Sequence, residues 1–522
     1  MGGASVAATT PFGDARAKMY AGRITPAIIL IAVVAASGGL IFGFDNGITG
    51  GVISHPDFES RFFGHHASGN DAFCKFNDHM LQLFTSCLFL SGAVAAMVGS
   101  HTCRRFGRKA TMVAGGACFL AGTVLVTLAV HMSMLVLGRL VLGVGVGFAT
   151  QATPLYLSEM APYNIRGALN IIFQLAVTVG ILAAQLINYA TQHITPWGWR
   201  LSLAMGALPS LVLFFGSMLL PDTPNSLVER GQQEEGLKVL RKIRGTQNVA
   251  VEFDDICEAV RVSSSVKNPW RTITRRRYWP QLIISVLVPT FQQLTGINAI
   301  MFYAPQLFQA AGHSAESALL STVITGAVNV GSTFVAIILV DRVGRRALFI
   351  QGGIQMLVCE VVAGLLIKRN FESPGNDALA SGIIALLCLY VAGFAWSWGP
   401  LGWLVPTEIQ PLETRAAGTG INTFFNFLFT FFVGQLFLTL LCALKWGTFL
   451  FFGGFVLLMT LFVILCIPET KGVPIEELSD MIIHKHWLWS RVVAGAPLET
   501  LEEMEPGTDL LAEKHQGLVK VV

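Results

Sequence analysis

The stretch Arg105-Phe106-Gly107-Arg108-Lys109 and its echo Arg342-Val343-Gly344-Arg345-Arg346 set the architecture of this chain. Each is a short basic loop between long apolar runs, and the second follows the first after about six such runs, each of spanning length. A second pair of loop charges repeats in step. Glu159 and Arg166 stand seven residues apart, and so do Glu408 and Arg415. Loops that recur in the same order imply that the helices between them recur as well.

Working outward from these loops, apolar runs are read as spanning helices at 24–46, 81–101, 110–130, 134–156, 168–190, 200–220, 280–304, 317–340, 347–367, 380–404, 417–441 and 446–467. Each is close to the roughly 20 residues that a bilayer core requires. The composition agrees: 53% of the 522 residues are hydrophobic and 13% are charged, where a soluble domain carries about 25% charge. A soluble protein is therefore excluded. A net charge of +3 leaves no basic field to hold nucleic acid. With the amino terminus in the cytoplasm, the loops bearing Arg104, Arg105, Arg108, Lys109, Arg166, Arg342, Arg345, Arg346 and Arg415 all fall inside, as the positive-inside rule asks.

The expected fold is an all-α membrane protein of twelve spans in two six-helix bundles. Its expected parts are a cytoplasmic tail at 1–23, a first bundle at 24–220 with an outer loop at 47–80, a linker at 221–279, a second bundle at 280–467, and a cytoplasmic tail at 468–522. The linker has 19 charged residues in 59, and its Leu237, Leu240 and Ile243 fall at amphipathic helical spacing. Residues 1–23 contain no apolar core, and Val6 stands where an acylation signal needs Ser or Thr, so neither a cleaved signal nor a lipid anchor is expected. Parallel duplication places a ligand at the midplane between bundles that rock against each other. A channel or an intramembrane enzyme has no need of it. The repeated loop charges Arg105, Arg108, Glu159, Arg166, Arg342, Arg345, Glu408 and Arg415 read as a cytoplasmic ion-pair latch, the alternative being orientation alone.

Polar residues inside the spans mark the site. Helix five carries Gln174, Thr178, Gln185 and Asn188 in one stripe. Helix seven adds Gln292, Gln293 and Asn298, helix eight Asn329, and helix eleven Asn422 and Asn426. Amides donate and accept as sugar hydroxyls do, so a neutral set of this kind suits an uncharged polyol. Trp396, Trp398 and Trp403, around Gly399 and Pro400, are expected to break helix ten and offer an aromatic face to the C–H side of a pyranose. For Gln185, Asn188 and Gln355 interhelical bonding is the favoured reading. Asp45 and Arg139 are charges well inside helices one and four, and an unpaired charge there is costly, so the two are expected to face each other. Rearrangement of such a pair can load and release a proton; a permanently ionised structural pair is the alternative. Glu360, in helix nine, has no role in this scheme. No cofactor or metal is called for.

These motifs, together with Gly138-Arg139 opening a glycine-rich fourth helix, Pro221-Asp222-Thr223-Pro224, Gln292-Gln293-Leu294-Thr295-Gly296-Ile297-Asn298 and Pro468-Glu469-Thr470-Lys471-Gly472, resemble the sugar porters of the major facilitator superfamily across about 24–475. Phe42-Gly43-Phe44-Asp45-Asn46-Gly47 and Trp398-Gly399-Pro400-Leu401-Gly402-Trp403 resemble the plant and green-algal monosaccharide–proton symporters most. Two departures stand out. Cys103-Arg104 replaces an acidic–basic pair that Asp341-Arg342 keeps, and Asn225 replaces a common arginine.

The resemblance implies sugar contacts at Gln174, Gln292, Gln293, Asn298, Asn329, Trp403 and Asn426, and at Phe42, where a core aromatic is the alternative. It also implies proton coupling through Asp45 and Arg139, so the expected activity is import of a monosaccharide, a hexose such as glucose, with a proton across the plasma membrane. The protein is expected to act as a monomer in the bilayer, with both termini inside. A facilitative uniporter and a non-transporting sugar sensor are the competing readings. By this topology Cys74 and Cys442 are the two cysteines on the oxidising side, and a similar pair occurs in the plant-type symporters, so a disulfide is expected to tie the outer loop over the second bundle.

Overall fold

The computed structural model describes residues 25–63, 74, 77–162, 166–266, 268–310, 314–372, 377–411, 413–471 and 486–493. Among these, twelve spans are long and apolar enough to cross a bilayer, and there is no strand. In the first bundle they are α1 (Pro26–Ile53), α2 (His79–Phe106), α3 (Arg108–Thr127), α4 (Met132–Met160), α5 (Arg166–Thr191) and α6 (Gly198–Leu219). In the second they are α7 (Trp279–Leu294, then Ile297–Ala310), α8 (Ala315–Val343), α9 (Arg345–Glu372), α10 (Asp377–Ala395, then Trp398–Glu408), α11 (Arg415–Leu444) and α12 (Gly447–Cys466). The tails at 1–23 and 494–522, and most of the outer loop between Phe63 and Asn77, lie outside the described residues.

Helix starts follow local chemistry. Thr25 caps α1 ahead of Pro26, and the Asp78 carboxylate caps α2 by accepting from the amides of Met80 and Leu81 at 2.7 and 3.0 Å. The expected first span ended at 46, but α1 continues to Ile53. Its Gly43 and Gly47 are not a boundary; they let the α1 backbone settle onto the carbonyls of Val177 and Ile181 in α5. Lipid tails give no hydrophobic force between helices, so small residues that bring backbones together carry the packing. In α4, Gly143, Gly145 and Gly147 do the same against α2 and α3.

The repeated glycines, Gly107 and Gly344, end one helix and begin the next at φ +98° and +107°, a region that favours glycine. A side chain there would also strike the carboxylates of Asp222 and Glu469. The motif glycine is thus required twice over in each half.

The bundles meet along α2 and α11, along α5 and α8, and where α1 meets the second part of α7. At the end expected to face outward Gln306 Nε2 donates to Ser54 Oγ at 2.7 Å and Gln82 Nε2 to Thr439 Oγ1 at 3.1 Å; at the opposite end Ser100 Oγ donates to the Ala416 carbonyl at 3.2 Å. Beneath the first bundle the linker helix Gln233–Arg244 buries Leu240 and Ile243, as its spacing predicts. Arg244 donates to the carbonyls of Met160 and Ala161 at the end of α4 and pairs with Glu252.

Candidate sugar and proton sites

Two breaks in the second bundle shape the central site. Gly296, at φ +81°, interrupts α7, and residues 396–397 interrupt α10. Gln292 joins the two breaks. Its Nε2 donates to the carbonyls of Trp398 and Gly399 at 2.8 and 3.0 Å, and its Oε1 accepts from Asn426 Nδ2 at 2.7 Å. Just beyond the first break, Asn298 Nδ2 donates to Gln293 Oε1 and lies 3.5 Å from Thr430 Oγ1, one turn past Asn426 on α11. Four of the expected amides therefore form one connected group at the broken region. Phe42 reaches it from the first bundle, its ring 5.6 Å from that of Phe427, next to Asn426.

The remaining expected contacts are placed less closely. Asn329 is buried on α8, while Gln174 and Trp403 are half-buried on α5 and α10; none of the three side chains makes a hydrogen bond among the described residues. Trp396 and Trp398 serve the scaffold instead of offering a face to a ring. Trp398 is fully buried, packs tilted against Phe349 with ring centroids 4.5 Å apart and donates Nε1 to the Phe349 carbonyl, and Trp396 Nε1 donates to Gln351. Asn188 and Gln355 bond helix to helix as expected: Asn188 Nδ2 donates to the Gly47 and Ile48 carbonyls, and Gln355 Nε2 to that of Leu389, whereas Gln185, expected to do the same, keeps its Oε1 buried without a partner among the described residues.

In the first bundle Arg139 and Asp45 are paired. Arg139 has no exposure; its Nη1 donates to Asp45 Oδ1 at 2.5 Å and its Nη2 to Thr49 Oγ1, a further partner one turn along α1. The guanidinium lies 4.3 Å over the ring of Phe84. Phe84 in turn packs at 5.3 Å against Phe58, on the short helix Pro56–Phe62 that follows α1. A line of aromatic contacts thus runs from the outer loop to the ion pair. Farther along that loop Cys74 and Cys442 are joined by a disulfide, with Cα atoms 4.6 Å apart. The seven other described cysteines are free.

At the end of the spans expected to face the cytoplasm the sequence repeat becomes a repeat of hydrogen bonds. Arg108 pairs with Glu159 at 2.9 Å and Arg345 with Glu408 at 3.1 Å. Thr223 donates to Glu159 and Thr470 to Glu408. Asp222 accepts from the Lys109 amide, and Glu469 from the amides of Arg345 and Arg346. Each of these clusters lies within one half and its own connector. Arg105 and Arg342 are exposed and stand outside them; Arg104 joins instead, at 3.3 Å from Glu229, which also pairs with Arg108. Arg415 donates to the Gln410 carbonyl, and the Arg166 side chain lies outside the described residues. Thr49, Thr430 and Glu229 escaped the sequence reading. A hydroxyl one turn from an intramembrane carboxylate was the available signal for Thr49, and the Pro221-Asp222-Thr223-Pro224 motif a few residues upstream was that for Glu229.

Against known families, residues 31–482 match the profile described as "Sugar (and other) transporter". The chain belongs to this sugar transporter family. Among its relatives, Sugar transport protein MST7 of Oryza sativa subsp. japonica is 52% identical over 494 residues, covering 92% of this chain and 96% of that protein. Sugar transport protein 10 of Arabidopsis thaliana is 52% identical over 491 residues, covering 92% and 95%. The fold of this sugar transporter is that of the major facilitator superfamily. The proton:xylose symporter XylE bound to 6-bromo-6-deoxy-D-glucose superposes with a TM-score of 0.75 at 26% identity, over 88% of this chain and all of that one. The partially occluded inward-open form of the xylose transporter XylE from E. coli gives 0.70 at 25% identity, over 85% and all.

Proposed function

We propose that this sugar transporter imports a monosaccharide, a hexose such as glucose, together with a proton across the plasma membrane, both termini being cytoplasmic. The observation that carries the reading is the coexistence of two sites of different chemistry. One is a neutral amide group at helix breaks in the second bundle, Gln292, Gln293, Asn298 and Asn426; the other is the ion pair Asp45–Arg139, buried well inside the spans of the first. The amides supply donors and acceptors for an uncharged polyol, while Gln174, Asn329, Trp403 and Phe42 complete the cradle from neighbouring helices. The ion pair supplies the proton.

With the outer side open to acid, protonation neutralises Asp45, and Arg139 keeps Thr49 and the Phe84 face. The first bundle then closes over bound sugar. Opening inward restores the pair and releases the proton. Sugar and proton favour the same occluded state, a reciprocal linkage that drives accumulation. The inner ion-pair clusters brace each half as a unit while the halves rock, and the monomer suffices for the cycle.

The test is uptake of a labelled sugar panel into proteoliposomes, with and without a protonophore, while external pH is recorded. Sugar-dependent alkalinisation of the medium supports symport. Saturable uptake that is indifferent to the protonophore selects the uniporter, and absence of uptake for every sugar sinks the transport reading.

A further inference from the structure

Outside the sites described above, a further set of buried polar atoms at the outer face lies without full hydrogen-bond partners among the described residues. His55, just beyond α1, is 6% exposed; its ring leans on the backbone carbonyl of Thr191, and among the described residues neither Nδ1 nor Nε2 makes a hydrogen bond of full geometry. Its nearest charged neighbour is Asp57, whose Oδ2 lies 3.7 Å from Nδ1, beyond hydrogen-bond reach. Gln192, at the turn after α5, likewise holds Nε2 buried and unpartnered. Both side chains line a cavity of about 190 Å³. Trp199 and Asn188 complete its wall in the first bundle, and Glu316 and Leu319 of α8 form its wall in the second.

We propose that this cavity is an outer subsite for a monosaccharide, separate from the central site and formed while the outer ends of the bundles are together; it rests on the reading that the chain carries such a sugar. The volume is that of about six waters at roughly 30 Å³ each, room for one small ring. The chemistry matches hydroxyls. An imidazole offers a donor and an acceptor, the Gln192 amide a donor, and the exposed Glu316 carboxylate an acceptor at the rim, while Trp199 and Leu319 supply apolar surface. Among the described residues no group of three or more His, Cys, Asp or Glu side chains is placed to hold a metal, so a cation is a poor occupant.

Position gives the subsite a consequence. Its walls come from both bundles, beside the Gln306–Ser54 bond that closes α7 against α1. A sugar held there touches both halves, so its binding favours the closed outer end, and at high concentration it slows reopening. External sugar should therefore inhibit its own uptake once the central site is saturated.

The experiment uses the full chain in nanodiscs with D-glucose as the probe, read by saturation-transfer NMR, in the wild type, Asn426→Ala, His55→Leu, Gln192→Leu and the doubles that combine Asn426→Ala with either outer change. The proposal expects weak glucose signal to survive in Asn426→Ala and to fall at least fivefold in both doubles. It also expects His55→Leu to relieve the decline of uptake at high external glucose. Loss of all signal in Asn426→Ala alone, or its persistence in the doubles, means that the cavity holds only water and overturns the proposal. A wild type that binds no glucose at either place overturns it too. Wild-type transport measured alongside shows separately whether the transport reading stands.

Discussion

Replacing Asp45 by Asn keeps shape and one acceptor and removes the charge. In the wild type Arg139 is fully buried, 2.5 Å from Asp45 Oδ1, with Thr49 as its other side-chain partner and Phe84 beneath it. Removing one partner of a buried pair costs about 3–5 kcal/mol. The amide oxygen retains a hydrogen bond worth about 1 kcal/mol, and the aromatic face continues to hold the cation. The expected loss of stability is therefore about 2–4 kcal/mol, a fall in thermal midpoint without loss of the fold. The functional effect is larger in kind. One pH unit is worth about 1.4 kcal/mol, so a symporter coupling one proton to one sugar accumulates about tenfold across it. In proteoliposomes with an inward proton gradient, matched for inserted protein, wild type should approach that ratio and Asp45→Asn should stay near unity while exchanging sugar downhill. An Asp45→Asn protein that still concentrates sugar refutes the coupling role of this carboxylate.

Four further outcomes are expected. Gln292→Ala should raise the half-saturation concentration about tenfold or more, because it removes a hydroxyl partner and frees the carbonyls of Trp398 and Gly399; an unchanged value in sugar-dependence curves rejects the site. Cys74→Ser should lower the unfolding midpoint by the equivalent of about 2–4 kcal/mol, and non-reducing mass spectrometry of the wild type should find neither Cys74 nor Cys442 alkylated before reduction. Glu159→Gln should destabilise less than Arg108→Met when both are melted side by side, because Arg108 keeps Glu229 at 2.7 Å in the first, whereas the second strips Glu159 of its cation and leaves Glu229 with Arg104 alone. Burial holds the His55 imidazole below its ordinary value, with Asp57 opposing. An unfolded chain then takes up more protons than the folded one as pH falls through about 6.5, so stability drops on acidification, and His55→Leu should flatten that slope in melts between pH 7.5 and 5.

The twelve spans were legible because runs of apolar residues and basic loops report directly on a bilayer. The duplicated glycine-centred loops carried the two-bundle arrangement for a similar reason: their chemistry is local. The ion pair was legible as well, since a buried Arg139 admits few partners. Interior details were not. The first span read as ending at 46, whereas it runs on to Ile53, and Gly43 and Gly47 inside it serve close packing against α5. Trp398 read as a sugar platform, yet its indole is consumed by Phe349 and by the α10 break. Arg105 and Arg104 are neighbours in one basic loop, and only the rotation of α2 decides which of them meets Glu229.

The bond between Cys74 and Cys442 fixes more than a loop. It clasps the first half to the outer end of α11 beside the contacts of Asn77 and Gln82 with Thr439, so one edge of the molecule is stitched shut. In the proposed cycle the outer opening then widens toward the α1–α7 and α5–α8 contacts, the side on which His55 lies. With the proposed topology the stitch is sewn on the oxidising side of the membrane, and it then marks each molecule inserted that way round.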